Sequence, residues 1–206
     1  MKQPISKSLM TGIIVTLLII IAVAGVSIWL SSAIYGHRED SRVVRIIGSW
    51  LPVARVGSKK ISYGEFLDNM DTVRIYLSSE AAKDSGMAGP ITPDVEKNSL
   101  DRMVRELIVK QMAEEKSVTV PDEDVRDSFA NLVAMTSSTV PNVAQYLNES
   151  FHWTEEQFRA KVIYPALLEE ELATTFSSST DEQVMLLEQE IRKRLAGKDV
   201  KYYLKF

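Results

Sequence analysis

Residues 10–30 read MTGIIVTLLIIIAVAGVSIWL and contain no charged side chain. A helix of this length crosses a hydrocarbon core of about 30 Å, and a helix satisfies its own backbone hydrogen bonds in lipid. Trp29 and Tyr35 lie where an interfacial aromatic belt would lie. The segment therefore predicts a transmembrane anchor over residues 9–30, preceded by a short tail of residues 1–8.

A cleaved signal peptide is the alternative interpretation of this N-terminus. Lys2 and Lys7 form a basic n-region, and residues 31–33 (SSA) resemble a small-residue cleavage site. The apolar run is longer than the usual h-region of about 7–15 residues, which favours the uncleaved anchor. Because basic residues flank the run on both sides, the positive-inside rule leaves the orientation open.

The composition of the chain is that of a folded domain without obvious catalytic equipment. Of 206 residues, 45% are hydrophobic and 25% charged, the net charge is −4 and cysteine is absent. Without a basic stripe, a nucleic-acid partner is not expected. Neither His37 nor His152 has a partner at metal-ligand spacing, and the sequence contains no glycine-rich phosphate loop. We therefore predict no catalytic residue, no cofactor and no metal site.

After a predicted linker of residues 31–42, the pattern is mainly helical. Two capping boxes mark helix starts, and one long helix carries an apolar stripe. The boxes are Ser62 with Glu65 and Thr154 with Gln157, and the stripe is Leu100, Met103, Val104, Leu107 and Ile108. Short strands are predicted over residues 43–47, 51–56 and 200–206, and the last should pair with one of the other two unless it is a frayed stub.

The predicted fold is therefore a mainly α domain of residues 43–206. It contains about five to six helices and a small β element formed by N-terminal and C-terminal strands. Apolar side chains in the irregular region between the third and fifth of these helices are candidate binding residues. They are Val133, Met135, Tyr146, Phe151 and Trp153. Methionine and aromatic side chains suit recognition of varied apolar partners, although the same residues could simply pack a short helix against the core.

Four motifs occur in a characteristic order along the domain. They are VARV leading to ISYGEF (residues 53–66), LDRMVRELIVKQMA (100–113), VTVPDEDV (118–125) and WTEEQFR (153–159). This order resembles the N-terminal chaperone domain of the SurA-like, PpiD-like and PrsA-like foldases, over about residues 52–197. Two details depart from the family pattern, because Gly57-Ser58 replaces Asn-Gly in the turn and Pro121 replaces a capping hydroxyl.

The resemblance implies a function and a location. It implies a non-catalytic, membrane-anchored chaperone-like domain that binds unfolded or newly exported polypeptides, with the lipid bilayer contacted through residues 9–30. The tail would be cytoplasmic, and the domain would face the periplasm or the extracellular side. No parvulin isomerase sequence follows Val200, so isomerase activity is not expected. The alternative is a scaffolding subunit of a cell-envelope complex that docks one specific partner.

Overall fold

A computed structural model describes residues 48–137 and 140–206. Over these residues the chain is mainly helical and contains one three-stranded sheet, which confirms the mainly α class with a small β element. The described residues contain eight α-helices rather than the predicted five to six, because a short helix, Glu80–Asp84, is separate and a π-helical turn, Arg159–Ile163, divides the predicted fifth helix. The predicted tail, anchor, linker and first strand fall within residues 1–47 and lie outside the described residues. Within the described ranges, no helix combines the length and the apolar character needed to cross a membrane.

The sheet joins the start of the described chain to its end. Strands β1 (Pro52–Val56) and β2 (Lys59–Ser62) form an antiparallel hairpin, and β3 (Val200–Tyr202) pairs antiparallel with the other side of β1. In the hairpin turn Gly57 has a φ of +57° and Ser58 does not have a positive φ, as a type II′ turn requires. The predicted pairing of the C-terminal tail with a strand near the start of the domain is confirmed, although the ladder is shorter than predicted.

Helices occupy most of the chain between β2 and β3. They are α1 (Tyr63–Ser78), α2 (Glu80–Asp84), α3 (Pro93–Glu115), α4 (Asp122–Thr136), α5 (Val143–Phe151), α6 (Glu155–Phe158), α7 (Tyr164–Thr174) and α8 (Thr180–Leu195). Both predicted capping boxes are present, at the starts of α1 and α6. A π-helical turn, Arg159–Ile163, joins α6 to α7. Pro165, which predicts a kink here, follows that turn and has no N–H to donate to it.

The main hydrophobic core lies between the sheet and helices α1, α3, α7 and α8. Its largest fully buried side chains are Tyr63, Phe66, Met70, Leu100, Ile108, Met112, Leu172, Leu187, Ile191 and Val53. The predicted stripe of α3 faces this core. Leu100, Val104 and Ile108 are completely buried, whereas Met103 and Leu107 pack at the edge and are partly buried.

A second hydrophobic cluster lies beside the main core. It consists of Ala113, Val120, Val125, Phe129, Leu147, Ile163 and Leu168. Helix α4 packs on the π-helical turn, and α5 packs on α1. The cluster therefore attaches the α4–α5 region to the end of α3, the π-helical turn and α7, and the packing of α5 on α1 adds a second attachment.

A half-buried ion group fixes the middle of α3 to α7 and α8. The Arg105 guanidinium donates to both carboxylate oxygens of Glu169, at 2.6 and 2.7 Å. It also contacts the carboxylate of Glu188. Bidentate arginine–carboxylate pairs are stronger and more directional than single contacts, so this group sets the relative orientation of three helices.

A second ion group joins the end of α3 to α8. Arg194 donates to both oxygens of Glu115, at 2.9 and 2.7 Å, and to Glu190 at 3.1 Å. The hydrogen bonds from the Arg194 guanidinium lower the pKa of both carboxyls. The ionised form of each carboxylate is therefore the one that the fold stabilises.

Candidate functional site

A groove opens between α1, α3 and the end of α5. Its volume is about 420 Å³. It is lined by Asn69, Thr72, Val73 and Tyr76 of α1, by Val95, Asn98, Ser99 and Arg102 of α3, and by Phe151 and Trp153. We call it the aromatic groove.

One wall of the aromatic groove is a stack of aromatic rings. The rings of Tyr76 and Phe151 are parallel within 1°, and their centroids are 5.2 Å apart. The ring of Trp153 lies 5.2 Å from that of Phe151 at an angle of 23°, and the ring of Tyr146 approaches Phe151 edge-on at 6.3 Å. Such pairs stabilise by about 0.5–1.5 kcal/mol beyond the area they bury. The stack therefore holds the end of α5 against α1.

The chain reversal after α5 places the tryptophan in this stack. His152 ends the helix in the left-handed conformation, with a φ of +54°, and its N–H donates to the carbonyls of Asn148 and Leu147. The bond from His152 to Asn148 is the 5→1 bond of an αL cap, and the N–H of Trp153 donates to the Leu147 carbonyl at 3.2 Å. Because the chain turns back here, the Trp153 ring can stack on Phe151, only two positions earlier.

The floor of the aromatic groove is polar. An Nη2–H of Arg102 donates to Oδ1 of Asn69 at 2.8 Å. The Nδ2 atom of Asn69 is buried and has no hydrogen-bond partner in the described part of the chain. Thr72, Asn98 and the buried Ser99 add further hydrogen-bonding groups. The groove thus combines an apolar wall with a floor that can hydrogen-bond a polar backbone.

Comparison with known families identifies the domain. The sequence profile of the SurA-like N-terminal domain matches residues 1–192. The chain belongs to the SurA-like N-terminal domain family. The resemblance carried by the four sequence motifs is therefore confirmed, and the SurA-like domain is a chaperone-type, non-catalytic domain. No curated protein and no solved structure matches the chain.

The five predicted binding residues of the SurA-like domain do not form one surface. Tyr146, Phe151 and Trp153 come together in the aromatic stack. Val133 is partly buried against the second hydrophobic cluster. Met135 is 81% exposed and does not line the groove. That these residues bind polypeptide stays a prediction.

Tyr76 is a member of the aromatic stack that the sequence analysis did not select. It lies on α1, far in sequence from Phe151. A signal for it does exist, because Asn69, Thr72 and Tyr76 are spaced three and four positions apart and so share one face of the helix. That spacing shows a common face but does not show which helix packs against it.

A second cleft in the SurA-like domain, of about 460 Å³, lies between the hairpin and the ends of α3 and α8. Four of its five charged side chains pair with one another, Lys59 with Glu114 and Arg194 with Glu115. Over the described ranges, no three histidine or acidic side chains are grouped so that they could hold a metal ion. We therefore centre the functional interpretation on the aromatic groove.

Proposed function

We propose that the SurA-like domain is a non-catalytic chaperone that binds unfolded or newly exported polypeptides in the aromatic groove. Membership of the family supports a chaperone-type or helical adaptor role. The observation that carries the proposal is the wall formed by Tyr76, Phe151 and Trp153 along an open groove. Large, rigid rings provide contact area with little loss of side-chain entropy, and they accept apolar side chains of different shapes.

The floor of the groove supports an extended segment as the ligand. An unfolded chain carries backbone N–H and C=O groups that need partners when water is excluded. The side chains of Thr72 and Asn98 supply donors and acceptors beside the aromatic wall. A bound segment could therefore place an apolar side chain against the rings and its backbone against the polar floor.

We also propose that residues 9–30 anchor the domain in the cytoplasmic membrane, with residues 1–8 in the cytoplasm and the domain on the extracytoplasmic side. The uncharged apolar run of residues 10–30 supports the anchor. This arrangement would present the aromatic groove to polypeptides as they leave the membrane.

Suppression of aggregation by the full chain, held in lipid nanodiscs, tests the chaperone proposal. Several unrelated unfolded clients should remain soluble, and Trp153→Ala should abolish most of the effect. The matched control is Trp50→Ala, because Trp50 is 61% exposed and does not line the groove. Asn98→Trp is a second variant, since it fills the groove at an exposed position without removing a stacked ring.

Two results would contradict the proposal. If the wild-type chain protects no unrelated client, the domain is not a general chaperone. If Trp153→Ala and Asn98→Trp both retain the helical circular dichroism of the wild type and still suppress aggregation fully, the aromatic groove is not the binding site.

A scaffold that docks one folded partner is the second candidate function. The observation that favours it is an exposed apolar pair on α8, where Val184 is 63% and Met185 51% exposed. A scaffold should capture a single partner in stoichiometric amount and should lose it on Met185→Glu. It should not protect unrelated clients, so the aggregation assay separates the two functions.

A further inference from the structure

We infer that the aromatic groove prefers extended segments in which an acidic side chain lies within two residues of an aromatic one. The inference rests on the proposed function, because it names the class of segment that the same groove takes. It follows from the charges around the groove and from the position of the ring stack.

The charge of the groove lining is positive. Arg102 is the charged side chain among the described residues that line it. It is exposed, and its hydrogen bond goes to the neutral amide oxygen of Asn69. No carboxylate in residues 48–137 and 140–206 lies within ion-pair distance of Arg102. Arg105 and Arg194, by contrast, each bind two carboxylates.

A second cation lies against the aromatic wall. The Nζ atom of Lys161 is 5.1 Å from the centroid of the Trp153 ring. Lys161 is exposed, and it forms no ion pair with any described residue. Among the described residues, the aromatic groove is therefore lined by one cation, Arg102, and by no carboxylate, and a second cation, Lys161, contacts the Trp153 ring of its wall.

Two acidic residues of the groove helices are already paired with cations of their own helix. Asp71 of α1 accepts from Arg74 at 2.5 Å, and Asp101 of α3 accepts from Lys97 at 2.6 Å. Each pair joins positions one helical turn apart. Because each of these carboxylates is already paired with a cation, they offset less of the positive charge of Arg102 than unpaired carboxylates would.

The geometry of arginine favours a carboxylate as its ligand. A guanidinium has five N–H donors in a planar fork, and the contact with Asn69 uses one of the donors of Arg102. The remaining donors can form a charge-assisted pair with an acidic side chain. Residues i and i+2 of an extended segment point to the same side, so one segment can direct an acid to Arg102 and an aromatic ring to the stack.

Peptide binding to the full chain in zwitterionic nanodiscs tests the inference. Three labelled ten-residue peptides share a central phenylalanine and carry aspartate, serine or lysine two positions from it on each side. The aspartate peptide should bind about fivefold more tightly than the serine peptide, since an exposed ion pair contributes up to about 1 kcal/mol. The lysine peptide should bind most weakly. In about 1 M salt, where the Debye length is about 3 Å, the three affinities should converge.

Variants connect the preference to the arginine. Arg102→Gln should remove the preference for aspartate, and Arg102→Lys should retain part of it. The matched control is Arg126→Gln, because Arg126 is also exposed and also donates to a neutral oxygen, the Asp122 carbonyl. Asn98→Glu adds a carboxylate to the groove lining and should shift the preference towards the lysine peptide.

The outcomes separate the inference from the proposed function. Equal binding of the three peptides, or an unchanged preference in Arg102→Gln, would overturn the inference and leave peptide binding in place. Failure of the wild-type chain to bind any of the three peptides would overturn the proposed function as well. If Arg102→Gln does not fold, an unchanged preference in Asn98→Glu would overturn the inference.

Discussion

Leu204 attaches the C-terminal tail to the main core, and Leu204→Ala should weaken that attachment. The side chain is 4% exposed and belongs to the main core, directly after Tyr203, whose N–H donates to the Val53 carbonyl at 2.9 Å. The substitution removes three buried carbon atoms, worth about 0.8 kcal/mol each, and leaves a cavity that adds to the loss. A tail can relax more easily than a helix interior. We therefore expect the free energy of unfolding to fall by about 2–3 kcal/mol.

Urea unfolding of the full chain in mild detergent, followed by circular dichroism, measures this loss. For a domain of this size each kcal/mol lowers Tm by about 2–4 °C, so a Tm decrease of about 4–12 °C should accompany it. Lys201→Ala is the control, because Lys201 is an exposed residue of β3; its effect should stay within about 0.5 kcal/mol. An equally small effect of Leu204→Ala would refute the reasoning, since it would mean that the tail does not take part in the cooperative fold.

Arg194→Met should flatten the loss of stability in acid. The arginine lowers the pKa of Glu115 and Glu190 below the ordinary 4.5, so the two ion pairs stabilise the fold above about pH 4.5. This stabilisation, about 0.2–1 kcal/mol per exposed pair, is lost as the pH falls through the folded-state pKa values. Urea unfolding between about pH 3 and pH 7 measures the loss, and parallel stability curves for the wild type and the variant would contradict the prediction. Protease added to spheroplasts should digest the domain and spare residues 1–8. Protection of the whole domain would reverse the proposed orientation, and a soluble product that begins near Ile34 would indicate cleavage.

Features governed by interactions over a few residues could be predicted from the sequence. The capping boxes at Ser62 and Thr154 involve partners three residues away, and the alternation of the tail depends only on the period of a strand. The stripe on α3 was predicted because its spacing matches the helical repeat. In each case the information lies within a short window of sequence.

Features that depend on unusual backbone conformations or on contacts between residues far apart in sequence could not be predicted from a short window of sequence. Helix α5 ends at His152, a residue without the usual glycine signal for a left-handed cap. Pro165 indicated a kink but not the π-helical turn before it. The aromatic groove required the packing of Tyr76 against Phe151, and only the tertiary fold brings those rings together.

The pairing of β1 with β3 also determines when the domain can finish folding. The two strands lie near opposite ends of the described sequence and are directly hydrogen-bonded, so the sheet closes only after the intervening helices have been synthesised. At about 5–20 residues per second, an emerging chain would expose the fully buried Val53 and Ala54 for roughly 7–30 s before β3 arrives. During that interval the edge of β1 can pair with another strand. The domain itself therefore passes through a period in which it needs protection from aggregation.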